Sequence, residues 1–203
     1  MSKYFDSVYL VLKLVLFAGG PGSGKTSVIR RLAERLREDG YAVYIIRDWA
    51  REIIRREKKK GTNGILPWTN RLEFERLVLK HYIKEYEKIF NENPDLFDIV
   101  LEDGGGFATK AYCDVDGVPT PNEYKVLLKY IDRVDLVFLM DLPRRYYKDS
   151  ERWEDYDYAI KIHFEIIRLH KQLFRNKIVL VKYMEKLDDK VNYVYNVLME
   201  KLF

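Results

Sequence analysis

The chain has 203 residues, 47% hydrophobic and 33% charged, a balance that excludes a disordered segment and is large enough for a proper core. With 36 basic residues against 32 acidic ones the net charge is +4, too small a surplus to mark a nucleic-acid binder by itself. One cysteine, Cys113, rules out an intrachain disulfide and fits a reducing, cytoplasmic setting, and the longest apolar run (8–18) is interrupted by Lys13 and too short to cross a membrane.

Strand-like and helix-like segments alternate along the chain, with no internal repeat and no low-complexity linker. KLVLFA (13–18) is predicted as a buried strand. In the helix that follows (26–39), Val28, Ile29, Leu32, Ala33 and Leu36 fall on one face, with Gly40 as its C-terminal cap. YAVYIIR (41–47) is a second strand, followed by the basic amphipathic stretch WAREIIRREKKK. After the loop GTNGILPW a long helix is predicted over 70–90, opened by Asn70 as cap with Glu73 three residues on. LFDIVLED (96–103) is the third strand, a short helix lies around 122–132, and VDLVFLMD (134–141) is the fourth strand. The basic loop LPRRYYKDSER leads to a helix over 153–174, a fifth strand (177–183) and a closing helix from Leu187. Apolar strands bounded by helices predict an α/β sandwich around a mainly parallel sheet, with ligands at the C-terminal ends of the strands.

The most specific signal lies after the first strand. Gly19, Gly20, Pro21, Gly22, Ser23, Gly24, Lys25 and Thr26, followed by Ser27, satisfy G-x-x-x-x-G-K-[ST] between a strand and a helix. Glycines let successive N–H groups turn inward as an anion nest, and the helix dipole favours negative charge at the same point. Lys25 is placed to reach the β- and γ-phosphates and Thr26 to ligate Mg²⁺. A metal partner is expected at the end of another buried strand: Asp103, with Glu102 beside it as the alternative. Asp141 ends strand four in the same manner, as a ligand or as a loop cap.

This layout resembles the P-loop nucleoside and nucleotide kinases. More closely, it resembles the AAA-type ATP-binding family that includes the ribosylnicotinamide kinase domain of NAD-salvage proteins. RDWARE (47–52) stands where that family has an acidic-aromatic-Ala-Arg segment. EDGGG (102–106) stands where it has Asp-Arg-Gly, and KDSERWED (148–155) resembles its Asp-x-x-Arg lid, carried by Asp149 and Arg152. The resemblance implies a P-loop NTPase three-layer α/β/α sandwich around a five-stranded sheet, formed by a single domain over 1–203. A helical substrate-side insertion is expected at about 49–95 and a lid at about 142–153. It implies ATP and Mg²⁺ as cofactors, Asp48 as the carboxylate facing an acceptor hydroxyl, and Arg152 as a lid cation for the transferring phosphoryl group. Gly104 replaces the family's arginine, which removes one expected substrate contact.

Asp48 also reads as a helix cap, and Arg51 as either a substrate contact or a partner of Glu52 or Glu75. Trp49, Phe107, Tyr112 and Trp153 are candidates to stack on a base, or core residues. His81, His163 and His170 lack metal-ligand spacing and read as packing or surface residues. Three functions fit. The first is an ATP-dependent kinase acting on a small nucleoside-, nucleotide- or riboside-like acceptor. The second is a P-loop NTP hydrolase, to which REIIRREKKKGTNG offers a basic face for nucleic acid. The third is a nucleotide sensor with feeble turnover. Oligomeric state leaves no mark on the sequence.

Overall fold

The computed structural model describes residues 11–61, 64–142 and 153–203. Five strands, β1 (Lys13–Ala18), β2 (Val43–Ile46), β3 (Ile99–Asp103), β4 (Val134–Met140) and β5 (Ile178–Val181), form one sheet in the order β2-β3-β1-β4-β5. Every pairing is parallel. Strand pairing sets the site directly: Phe17 near the end of β1 is in register with Asp103, the last residue of β3.

The strands are apolar on both sides because helices cover both faces. Val15 and Phe17 of β1, with Ile99 and Leu101 of β3, pack against α1 (Lys25–Glu38) and α7 (Leu187–Leu202). Leu14, Leu16 and Ala18, with Val100, face the opposite layer. That layer holds α2 (Trp49–Lys58), α3 (Arg71–Glu87), α4 (Thr109–Asp116), α5 (Glu123–Leu127) and α6 (Tyr156–Phe174).

Helix ends follow local chemistry. Gly40 takes φ 94° and donates to Arg37 O at 3.0 Å, closing α1 as expected. Asn70 accepts from Glu73 N at 3.2 Å and opens α3. The helix ends at Glu87, and one π-helical turn, Lys88–Glu92, completes the predicted span. The predicted helix around 122–132 divides into α5 and a 3₁₀ stretch, Leu128–Arg133. The helix expected from 153 begins at Tyr156, because Asp155 accepts from Tyr158 N at 2.8 Å and caps it. Strands β2, β3 and β5 are shorter than their apolar runs.

One helix lacks a sequence prediction. A 3₁₀ turn, Gly106–Ala108, leads into α4, which ends where Gly117 adopts φ 65°. At eight residues, behind three glycines, it offers too few turns for a periodic signal. The expected lid, with Arg144, Arg145, Lys148, Asp149 and Arg152, lies outside the described residues.

Candidate functional site

Between β1 and α1 the phosphate loop wraps around the helix N-terminus. Gly19, Gly22 and Gly24 take φ of 143°, 82° and 86°, conformations that side-chain-bearing residues rarely hold. Among the described residues no side chain caps α1, and no acid occupies its first turn, so its N-terminal amides and dipole are suited to an anion. The Lys25 ammonium donates to Gly19 O at 2.7 Å, Gly20 O at 3.1 Å and Ser23 Oγ at 3.3 Å. Pro21, Ser27 and Arg30 line the same cavity as Lys25 and Thr26.

The Thr26 hydroxyl donates to Asp103 Oδ2 at 2.5 Å. Asp103 is 4% exposed, and its Oδ1 has no hydrogen-bond partner among the described residues. Burial first, then the neighbouring Asp48 carboxylate, raise its pKa to about 6, against the opposing pull of Lys25 and Thr26. A buried oxygen pair with one acceptor position unfilled, next to a hydroxyl and a phosphate nest, suits a hard divalent cation. Among the described residues no three His, Cys, Asp or Glu side chains group as a metal site.

Glu102, the alternative ligand, serves elsewhere. It is fully buried, accepts from the Tyr86 hydroxyl, and accepts from Gly106 N at 3.0 Å. Burial pushes its pKa up to about 7. It anchors the turn after β3, where Gly104 and Gly105 take φ of 86° and 79°. Asp141 braces strand ends, accepting from Leu142 N at 2.8 Å and Tyr183 N at 3.4 Å. The capping alternative holds for it.

For Asp48 both expectations are compatible. Its Oδ1 accepts from Arg51 N at 3.1 Å and caps α2. Its Oδ2 lies 3.8 Å from Arg51 Nε and borders Gly104. A Cβ on Gly104 would stand 3.6 Å from the Asp48 carboxyl carbon, so the position where the family carries arginine faces Asp48 here. Arg51 thus pairs with Asp48.

From the phosphate loop a cavity of about 450 Å³ runs past Asp48 between α2, α3, α4 and α6. Its walls include Phe74, Val78, Tyr82 and Ala108, and Arg71, Glu75, Thr109, Tyr112, Trp153 and Glu154 contribute the polar and aromatic lining. Arg71 donates to Glu75 Oε1 at 2.9 Å, Asp116 Oδ2 at 2.6 Å and Tyr158 Oη at 3.2 Å. Its guanidinium also lies 4.9 Å from the Trp153 ring centre and 5.5 Å from that of Tyr112. Burial carries the Glu75 pKa up to about 7 despite this partner.

Of the four candidate aromatics, Tyr112 and Trp153 line the cavity while also packing against the core. Phe107 is fully buried core, and Trp49 stacks on His81 at 4.2 Å, away from the cavity lining. Arg71 and Thr109 escaped sequence reasoning, and Glu75 entered it only as a possible partner of Arg51. Arg71 and Glu75 look like ordinary solvated charges on a helix, and Thr109 belongs to the unforeseen α4. His163, read as a packing or surface residue, is buried, and it also meets the loop: Gly20 N donates to its Nδ1 at 3.1 Å.

No helix among the described residues is long and apolar enough to cross a membrane. A family model for the AAA domain matches residues 14–186. Among solved structures the chain resembles a NadR protein in complex with NR, at 19% identity and TM-score 0.63. It also resembles NadR in complex with NAD and AMP-PNP, at 14% identity and TM-score 0.66. Both alignments cover 95% of this chain and 50% of the other, so the chain spans half the length of those proteins. Thymidylate kinase from Ehrlichia chaffeensis aligns at 18% identity and TM-score 0.64, over 95% of this chain and 99% of that one. Curated protein sequences gave no match. With its phosphate loop, its all-parallel sheet and a family match that spans most of its length, the protein belongs to the AAA domain family and has a P-loop nucleotide kinase-like fold.

Proposed function

We propose that the protein is an ATP- and Mg²⁺-dependent phosphotransferase acting on the hydroxyl or phosphate of a small nucleoside-, nucleotide- or riboside-like acceptor. The observation that carries this reading is the cavity's extent. Hydrolysis needs only a nucleotide and a water, whereas this cavity continues beyond the phosphate loop into a chamber lined by Arg71, Glu75, Tyr112 and Trp153. That chamber lies within the helices between β2 and β3 and their neighbours, which supports the substrate-side role for 49–95.

In this mechanism the loop amides and Lys25 hold the β- and γ-phosphates, and their charge stabilises the one that develops during transfer. Thr26 and Asp103 would hold Mg²⁺, whose charge neutralises phosphate oxygens. The acceptor oxygen attacks the γ-phosphorus, the bond from that phosphorus to the β,γ-bridging oxygen breaks, and ADP leaves. When the acceptor is a hydroxyl, Asp48 Oδ2 takes its proton, since Oδ1 is engaged at the helix cap.

The hydrolase reading draws some support from the basic stretch 51–64. There Arg55 and Arg56 pair with Glu52, and Lys60 pairs with Glu57, which lowers the positive potential offered to a polyanion. The deciding experiment incubates the protein with γ-labelled ATP, Mg²⁺ and a panel of nucleosides, nucleotides and ribosides, with nucleic acids in parallel. Label on one small molecule supports the kinase and names its acceptor. Label released only as free phosphate, faster with nucleic acid, would sink it.

A further inference from the structure

His163 lies on α6, 143 residues from the loop glycine whose amide it accepts, and is 2% exposed. Helix and loop touch without a gap at this point. A Cβ on Gly20 would fall 2.7 Å from His163 Cβ and 3.1 Å from Ala159 O. Gly20 is therefore required for close approach of α6.

The bond matters because of the peptide it holds. The N–H of Gly20 and the carbonyl of Gly19 belong to one planar unit and point in opposite directions. His163 Nδ1 takes the N–H at 3.1 Å, and Lys25 Nζ donates to the carbonyl at 2.7 Å. The unit is thus a strut between α6 and the lysine expected to bind phosphate. To accept at Nδ1 the imidazole must be neutral, with its proton on Nε2. An imidazolium would present a donor to a donor.

We propose that His163 is a positioning residue of the phosphate loop: neutral, it locks the Gly19–Gly20 peptide between α6 and Lys25, and protonated it releases that peptide and weakens nucleotide binding. The surroundings favour the neutral ring. Burial is the largest influence and holds the pKa below the ordinary histidine range. Among the described residues the charges that act on the ring are Asp141 at the end of β4, which favours the imidazolium, and Lys25, which disfavours it. The lock is therefore closed at neutral pH and opens as pH falls through that lowered value.

This inference rests on the nucleotide-site part of the proposed function and is independent of any acceptor. Its test is calorimetric titration with AMP-PNP and Mg²⁺ from about pH 5 to pH 8, with thermal melting in the same buffers. His163→Asn keeps an acceptor oxygen near the Nδ1 position but does not titrate, and His163→Leu offers no acceptor. At neutral pH the leucine variant should bind on the order of tenfold or more weakly, as expected for a buried amide left unpaired. The asparagine variant should bind like the wild type. In acid the wild type should weaken more than the asparagine variant, a comparison that cancels titration of the nucleotide itself. Equal affinity of the leucine variant, or the same acid loss in the asparagine variant, would overturn the proposal. If the leucine variant does not fold, the asparagine comparison alone decides. Wild type that binds AMP-PNP at no pH would overturn the nucleotide site and this inference together, whereas binding without phosphate transfer to any acceptor would overturn only the kinase reading.

Discussion

Thr26 Oγ1 and Asp103 Oδ2 meet at 2.5 Å although 77 residues separate them, and the pleat of β3 decides that the partner is Asp103 rather than Glu102. Successive residues of a strand face opposite sides. Ile99 and Leu101 pack on the α1 side, so Asp103 continues that row toward Thr26, while Glu102 follows Val100 to the other face and meets Tyr86.

The first prediction follows from the burial of Asp103. Its carboxylate is held in the fold at a cost, as its pKa of about 6 records. Asp103→Asn should therefore raise the melting temperature at mildly alkaline pH. The same change should weaken Mg²⁺-supported AMP-PNP binding by roughly tenfold or more, the scale of one contact to a charged group. Melting curves and Mg²⁺ titrations of one preparation read both effects, and a variant that loses stability along with binding would argue for a structural role alone.

Asp48 permits a cleaner separation. Asparagine caps a helix about as well as aspartate, so Asp48→Asn should leave α2 and the melting temperature nearly unchanged. It removes the proton acceptor, and transfer to a hydroxyl should fall by about 10²- to 10⁴-fold. AMP-PNP affinity should change little. Phosphate transfer at the wild-type rate would remove Asp48 from the chemistry.

Lys25→Ala tests the loop. The lysine caps the carbonyls of Gly19 and Gly20 at the surface of the cavity, and its loss leaves no hydrophobic gap in the core. Folding should persist, judged by circular dichroism and melting, while turnover of γ-labelled ATP drops below detection. Residual turnover close to the wild type would place the phosphates elsewhere.

Much of this architecture was legible in the sequence because it rests on local rules. Apolar runs marked all five strands, Asn70 and Gly40 marked helix ends, and the glycine-lysine pattern marked the phosphate loop. The lining of the cavity beyond the phosphate loop was largely not legible. Arg71 and Glu75, four apart on α3, carry no sequence mark that separates them from solvated helix charges until α4 and α6 cover them, and α4 itself is too short to show periodicity. His163 was equally hidden, since nothing near it in sequence says that its ring reaches Gly20. Pairings across 143 residues are set by helix packing, which one chain read residue by residue does not display.

Glu102 supplies the last prediction, and its sign is determined by burial. The carboxyl moves from an ordinary 4.5 to about 7 in the fold. The folded state therefore binds more protons than the unfolded chain between these values, and this group's contribution to stability falls as pH rises across that window. Once ionised, it is disfavoured by roughly 3 kcal/mol. Glutamine at this position carries no charge and keeps one carbonyl oxygen to accept from Tyr86 or Gly106, so Glu102→Gln should lose that pH dependence. Denaturant unfolding of both proteins at about pH 5 and about pH 8 reads the difference. Relative to the wild type, the variant should gain stability between the two pH values. A difference that stays constant would mean that Glu102 is ionised in the fold throughout, and that the turn over Gly104 and Gly105 is anchored by a carboxylate.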